Sequence, residues 1–231
     1  MSKMKLVALG DSIIRGVILK TQNDDMRYTL SDLNIVDRCG RQLQCDVVNL
    51  GKMGCTVPKG ESILERSVDR IYGAKYVLLE YGGNDSDYDW AAIAQSPNES
   101  HLPKTPLEEY ESSYVRVIQK VRQMGCVPLV LSLPPMDAER YFRFFTQKMT
   151  ATMRDNILSW LNGSTNTIMS GHELYNMATW KVAQRTHSQW IDITSGLIAG
   201  HQSHCYLCED GIHPNELGQE YIANTILNEI M

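Results

Sequence analysis

Four short polar blocks hold residue types that acyl-transfer chemistry uses. They are Gly10-Asp11-Ser12, the stretch "NLGKMGCT" around Gly54, Gly82-Gly83-Asn84-Asp85, and Asp210-Gly211-Ile212-His213. Attack by a serine hydroxyl needs a base, a group that orients the base, and N–H donors for the oxyanion that forms. Ser12 is the candidate nucleophile and His213 the candidate base. Asp210, three residues before His213, can fold back in a turn to bond Nδ1–H and leave Nε2 free to meet the serine. Gly54 has no side chain, so a substrate oxygen can approach its N–H closely. Asn84 offers a side-chain N–H₂ as a further donor.

Each block has a plainer reading when taken alone. Asp and Ser are favoured helix caps, so Asp11-Ser12 reads equally as the start of a helix. His213 before Pro214 reads as a surface residue ahead of the last helix, and Asn84 as a turn residue. The elements that would carry the blocks decide between these readings.

Five apolar runs predict buried strands: 5–9, 46–50, 76–81, 127–133 and, more weakly, 189–193. They are short, rich in Val, Leu and Ile, and nearly continuous, as in parallel strands covered on both faces. Helical patterns lie between them. The clearest covers 106–124, with Thr105 as N-cap, Pro106 at the first position and Glu108 completing a capping box. Others are expected at about 13–19, 60–72, 146–161, 172–186 and 215–230, the last with Leu217, Tyr221, Ile222, Ile226 and Ile230 facing inward. This alternation predicts an α/β domain over 1–231 with a doubly wound parallel sheet, whose ligands sit beyond the carboxyl ends of the strands. All four blocks follow a predicted strand at that end.

Taken in order, "GDSIIRG", "NLGKMGCT", "GGND" and "DGIH" resemble the SGNH/GDSL hydrolase family over residues 5 to about 226. In the second block the family's pattern selects Gly54 rather than Gly51. The resemblance implies a flavodoxin-like three-layer α/β/α fold with a five-stranded sheet in the order 2-1-3-4-5. It implies metal-independent ester hydrolysis through an acyl-Ser12 intermediate. The oxyanion would be held by the Ser12 N–H, the Gly54 N–H and the Asn84 side chain. A small acyl group such as acetyl, on a carbohydrate for example, is the expected substrate. Thioesterase, lysophospholipase or acyltransferase chemistry would use the same site, and a non-catalytic binding module would keep the fold without the reaction.

Several residues stand outside this scheme. Glu80 falls inside "YVLLEYGG", where an unpaired charge is costly, so a partner such as Arg15 or a backbone turn is expected, with a supporting role. Asp11 is expected to fix the turn that carries Ser12. All three phenylalanines lie in "ERYFRFFTQ", and Tyr141, Phe142, Phe144 and Phe145 cannot share one face of an element. Tyr141 and Phe142 are therefore candidates for one wall of a substrate pocket, with Tyr88 and Trp90 for the opposite wall. His201, His204, Cys205 and Cys208 offer ligand types for zinc, but adjacent His204 and Cys205 suit one tetrahedral ion poorly. Free thiols, no metal and no cofactor are the expectation.

The net charge of −5 and the absence of a long basic run disfavour nucleic acid as a partner. No run reaches the length of a membrane span. The apolar run in "MSKMKLVALGDS" reads as the first strand rather than a secretory leader, so the cytoplasm is the expected compartment. A small-molecule ester is the expected partner, and homo-oligomerisation is left open.

Overall fold

The computed structural model describes residues 3–22, 25–199 and 203–231. Among the described residues seven strands form: β1 (Lys5–Gly10), β2 (Val17–Gln22), β3 (Asp25–Leu30), β4 (Asp46–Asn49), β5 (Tyr76–Glu80), β6 (Val127–Leu131) and β7 (Gln189–Ile191). Five of them make one parallel sheet in the order β4-β1-β5-β6-β7. Counting only sheet strands, that is the order 2-1-3-4-5.

The near-continuous apolar runs are explained by two cores, one on each face. Val7, Leu9, Val77 and Leu79 point into one, against the helices Val57–Arg66, Leu107–Gln123 and Asn166–Arg185. Leu6, Ala8, Leu78 and Leu129 point into the other, against the helices Ile35–Gln42 and Glu216–Ile230. Successive strand residues face opposite sides, so a strand sandwiched between helix layers needs both sets apolar. A third, smaller cluster of Trp90, Ile93, Ile157 and Leu161 holds a short helix, Trp90–Gln95, against the helix Ala151–Trp160. Among the described residues no helix is long and apolar enough to cross a membrane.

Several element boundaries differ from those predicted. The helix expected at 13–19 is one turn, Ser12–Arg15. Gly16 adopts the left-handed conformation at φ 83°, which stops the helix, and its N–H bonds the Ile13 carbonyl. The chain then enters the antiparallel hairpin β2–β3, which lies outside the main sheet. The helix expected at 60–72 starts earlier and is interrupted at Ser67, giving Val57–Arg66 and Val68–Ile71. The one expected at 146–161 is shorter, Ala151–Trp160, and a separate helix, Ala138–Thr146, precedes it. Thr105 does not cap the Leu107–Gln123 helix. Pro106 occupies the cap position, and Thr105 instead donates its N–H to the Asp85 carbonyl and accepts from the Tyr175 hydroxyl. Leu217 is 59% exposed, not inward, while Ile222 and Ile226 are buried.

Candidate active site

Ser12 lies two residues past the end of β1, where Asp11 turns the chain. The Asp11 Oδ1 accepts the Ile13 N–H at 2.8 Å, capping the one-turn helix that Ser12 opens. The first N–H groups of a helix have no intrahelical acceptor, so the Ser12 N–H has no partner within its own helix.

The last block arrives from the far end of the chain. Leu207 and Pro214 bridge as an isolated antiparallel pair, and Cys208 donates its N–H to the His213 carbonyl at 2.8 Å, closing a tight loop. Inside it, Asp210 Oδ1 accepts the N–H groups of Ile212 and His213 at 3.1 Å each. Its Oδ2 lies 2.6 Å from His213 Nδ1. On the other side of the ring, Nε2 is 2.9 Å from Ser12 Oγ. Ser12, His213 and Asp210 are all buried. Burial opposes ionisation of Asp210, but the hydrogen bonds from the His213 ring, its charge when protonated, and the two backbone N–H groups together hold the carboxyl below its ordinary value. An ionised Asp210 accepts a hydrogen bond from Nδ1–H, so the proton stays on Nδ1 and Nε2 accepts from the Ser12 hydroxyl.

Gly54 and Asn84 reach the same place from the ends of β4 and β5. Gly54 sits at φ 69° with open space where a Cβ would be, so its backbone faces the cavity unobstructed. Asn84 Nδ2 donates to Asp11 Oδ2 at 2.7 Å. An amide nitrogen carries two hydrogens, so this bond orients the group and leaves its second N–H available.

Glu80 does not meet Arg15. It is 1% exposed at the end of β5, and its carboxyl faces the side chain and backbone N–H of Asp11. Its Oε2 has no hydrogen-bond partner among the described residues. Burial, then the Asp11 charge and the bond to Asp11, push Glu80 well above the ordinary carboxyl range. Burial also raises Asp11, opposed by its bonds to Ile13, Glu80 and Asn84. Two buried carboxyls this close share a proton, and Glu80 is the one that holds it. Asp85, below them, is pushed up to about 7 chiefly by burial, while its Oδ1 accepts the Val57 N–H at 3.0 Å.

A cavity opens on Ser12, and Tyr88, Trp90, Tyr141, Phe144 and Phe145 line it together with Asp11, Gly54, Asn84 and His213. Phe142 does not line it, which corrects the sequence expectation. On the helix Ala138–Thr146 residues 141, 144 and 145 share the face toward the cavity, and Phe142 turns aside to meet the edge of Phe145 at 5.6 Å. Tyr28 was not foreseen. It comes from β3, packs edge-on against the His213 ring at 5.1 Å, and directs its hydroxyl toward Asp210. The signal for it was the turn-rich "QNDD" between two β-prone runs, which reads as a hairpin.

Among the described residues, His204, Cys205 and Cys208 of the other candidate cluster do not gather around one point. Cys208 is buried, with its sulfur accepting the Leu19 N–H at 3.3 Å, whereas Cys205 is exposed beside His204. Among the described residues no three His, Cys, Asp or Glu side chains gather as a metal site, and His201 lies outside the described residues.

The model of the GDSL-like lipase/acylhydrolase family matches residues 8–221. The chain belongs to that family. Its members are ester-hydrolysing enzymes, and all four polar blocks fall inside the match. No curated protein sequence matches the chain. Among solved structures, a lipase/acylhydrolase from Enterococcus faecalis is 18% identical, with a TM-score of 0.66 over 98% of this chain and 95% of that one. A catalytic mutant of an acetylxylan esterase from Geobacillus stearothermophilus is 18% identical, with a TM-score of 0.64 over 99% of this chain and 94% of that one. At such identity these two establish a shared fold.

Proposed function

We propose that this family member hydrolyses a carboxylic ester through an acyl-Ser12 intermediate. The observation that carries this reading is the unbroken chain from Ser12 Oγ to His213 Nε2 at 2.9 Å and from His213 Nδ1 to Asp210 Oδ2 at 2.6 Å.

His213 Nε2 takes the Ser12 proton as Oγ forms a bond to the ester carbonyl carbon. The carbonyl electron pair moves onto oxygen, and that oxyanion is received by the Ser12 N–H, the Gly54 N–H and the free N–H of Asn84. Collapse breaks the bond to the alkoxy oxygen, which leaves with the proton held on His213. A water molecule then repeats the sequence: His213 takes its proton, its oxygen attacks the acyl carbon, and the proton returns to Ser12 as the acid departs. Asp210 stays ionised throughout and stabilises the imidazolium in each half.

A fluorophosphonate probe followed by peptide mass spectrometry tests the reading. Labelling at Ser12, slowed strongly in His213→Ala, is expected. A folded protein that resists the probe, or that is labelled elsewhere, would overturn it.

A further inference from the structure

The cavity that opens on Ser12 has a volume of about 300 Å³. At about 30 Å³ per water it has room for about ten water-sized groups, and an acetyl group would leave most of it empty. Its walls are held open. Trp90 stacks on Phe145 at 4.8 Å and donates its indole N–H to Asp87 Oδ1 at 2.8 Å. The Tyr141 hydroxyl donates to the same oxygen at 3.0 Å, and Lys104 holds the other at 2.7 Å. An aromatic wall braced in this way does not collapse to fit a small group.

No Lys or Arg is among the lining residues, whereas Asp11, Glu80 and Asp87 are. A phosphate or carboxylate placed there would lose its hydration without gaining a cation. Among the described residues two side chains in the wall carry an unpartnered polar atom, Glu80 at Oε2 and His172 at Nδ1, and Glu80 is already paired with Asp11. His172, from the helix Asn166–Arg185, is buried, and its Nδ1 makes no hydrogen bond among the described residues. Glu173 Oε1 is 3.6 Å from that atom, and the His172 ring helps hold the Glu173 carboxyl below its ordinary value, so Nδ1–H faces a carboxylate. Nε2 is then the ring nitrogen left with a lone pair to receive a donor. An imidazole whose second nitrogen meets no donor is costly to bury, and a hydroxyl in the cavity would supply one.

We propose that the cavity takes an uncharged ester carrying an aryl-sized apolar group on its acyl or alkoxy half, and that His172 receives a hydroxyl borne by that group. The proposal rests on the esterase reading and adds the substrate class.

Acid release in a pH-stat tests it with ethyl acetate, methyl phenylpropanoate, phenylethyl acetate, monomethyl succinate, and the para-hydroxy forms of the two aryl esters. One aryl ester is expected to exceed ethyl acetate in kcat/KM by about tenfold or more, as burial of a phenyl group implies. Which one does so identifies the half that the cavity holds. Monomethyl succinate, an anion, is expected to be slowest. The para-hydroxyl is expected to add about two- to tenfold, the range of one hydrogen bond, and His172→Leu to bring the ratio of hydroxy to plain ester close to one. Ethyl acetate or monomethyl succinate as the best substrate would overturn the substrate class while leaving the esterase reading intact. A para-hydroxyl without advantage in the unmutated protein, or one whose advantage survives in His172→Leu, would overturn the role of His172. Cleavage of none of these esters, together with no fluorophosphonate label on Ser12, would overturn both readings.

Discussion

At the scale of single residues, the unusual group is a carboxyl that does no covalent chemistry. Glu80 lies against Asp11, Asp11 holds Asn84 through Oδ2, and Asn84 is a proposed oxyanion donor. A neutral Glu80 donates to Asp11, whereas an ionised one repels it. Asp85, Tyr114 and His213 also bear electrostatically on this pair, and none is a permanent cation. The kcat of the unmutated enzyme is therefore expected to fall on the high-pH side, as rising pH ionises Glu80. Glu80→Gln cannot ionise and keeps an N–H donor, so it should retain activity and lose that high-pH limb. Glu80→Leu should lose activity at every pH. A pH–rate profile of the three proteins checks this, and an unchanged high-pH limb in Glu80→Gln would count against it. The local patterns that expose Ser12, Asn84 and Asp210–His213 are readable because each is a few residues long and sits at a strand end. The partner of Glu80 was not readable, because strands β1 and β5 bring Asp11 and Glu80 together from 69 positions apart, a distance only sheet pairing closes. Phe142 was misassigned for a related reason: four aromatic residues in five positions cannot be sorted onto faces until the helix ends are known.

At the scale of elements, two segments position the site without joining in the reaction. The hairpin β2–β3 lays Tyr28 against the His213 ring. Tyr28→Phe keeps the ring and is expected to stay near the starting kcat/KM. Tyr28→Ala is expected to lose about two- to tenfold, the value of one aromatic contact, in steady-state ester hydrolysis. The hairpin signal in "QNDD" was outweighed in the sequence because apolar residues 13, 14, 17 and 18 also fit a helical face. The second segment is the helix Val57–Arg66. Its N-cap, Thr56, makes no side-chain cap, and Asp85 accepts the Val57 N–H in its place. Burial raises Asp85 to about 7, so the folded state holds that proton more tightly than the unfolded chain. The stability this contributes is complete below the unfolded carboxyl range, near pH 4, and is lost as pH rises to about 7. The slope is up to about 1.4 kcal/mol per pH unit. Asp85→Asn keeps the accepting oxygen and cannot ionise, so its thermal midpoint should decline less between pH 4 and pH 7 than that of the unmutated protein.

At the scale of the whole molecule, the sheet works as a platform whose carboxyl edge gathers residues 12, 54, 84 and 213 from four separate connections. Buried faces on both sides keep that edge rigid. Leu79 is fully buried in one core, one residue before Glu80. Leu79→Ala is expected to cost about 2–5 kcal/mol in denaturant unfolding, because a packed core relaxes only partly around a void. The parallel sheet and its two helix layers were legible from the apolar runs and their spacing. Tyr88, Trp90 and Tyr141 announced the aromatic walls of the cavity, but its size was not legible, since it depends on how the third cluster braces Trp90 and Phe145 against each other.

The central claim is that Ser12 forms the acyl-enzyme. It is tested most directly by comparing kcat/KM of the unmutated protein and Ser12→Ala for para-nitrophenyl acetate, with equal unfolding midpoints confirming that both are folded. Asp11, not Ser12, caps the helix, so the fold should survive the change. A loss on the order of 10⁴-fold or more is expected, as for removal of a nucleophile that acts together with its base. Activity in Ser12→Ala within about tenfold of the unmutated protein would contradict the account, because an enzyme whose reaction passes through an acyl-serine cannot keep that rate without the serine.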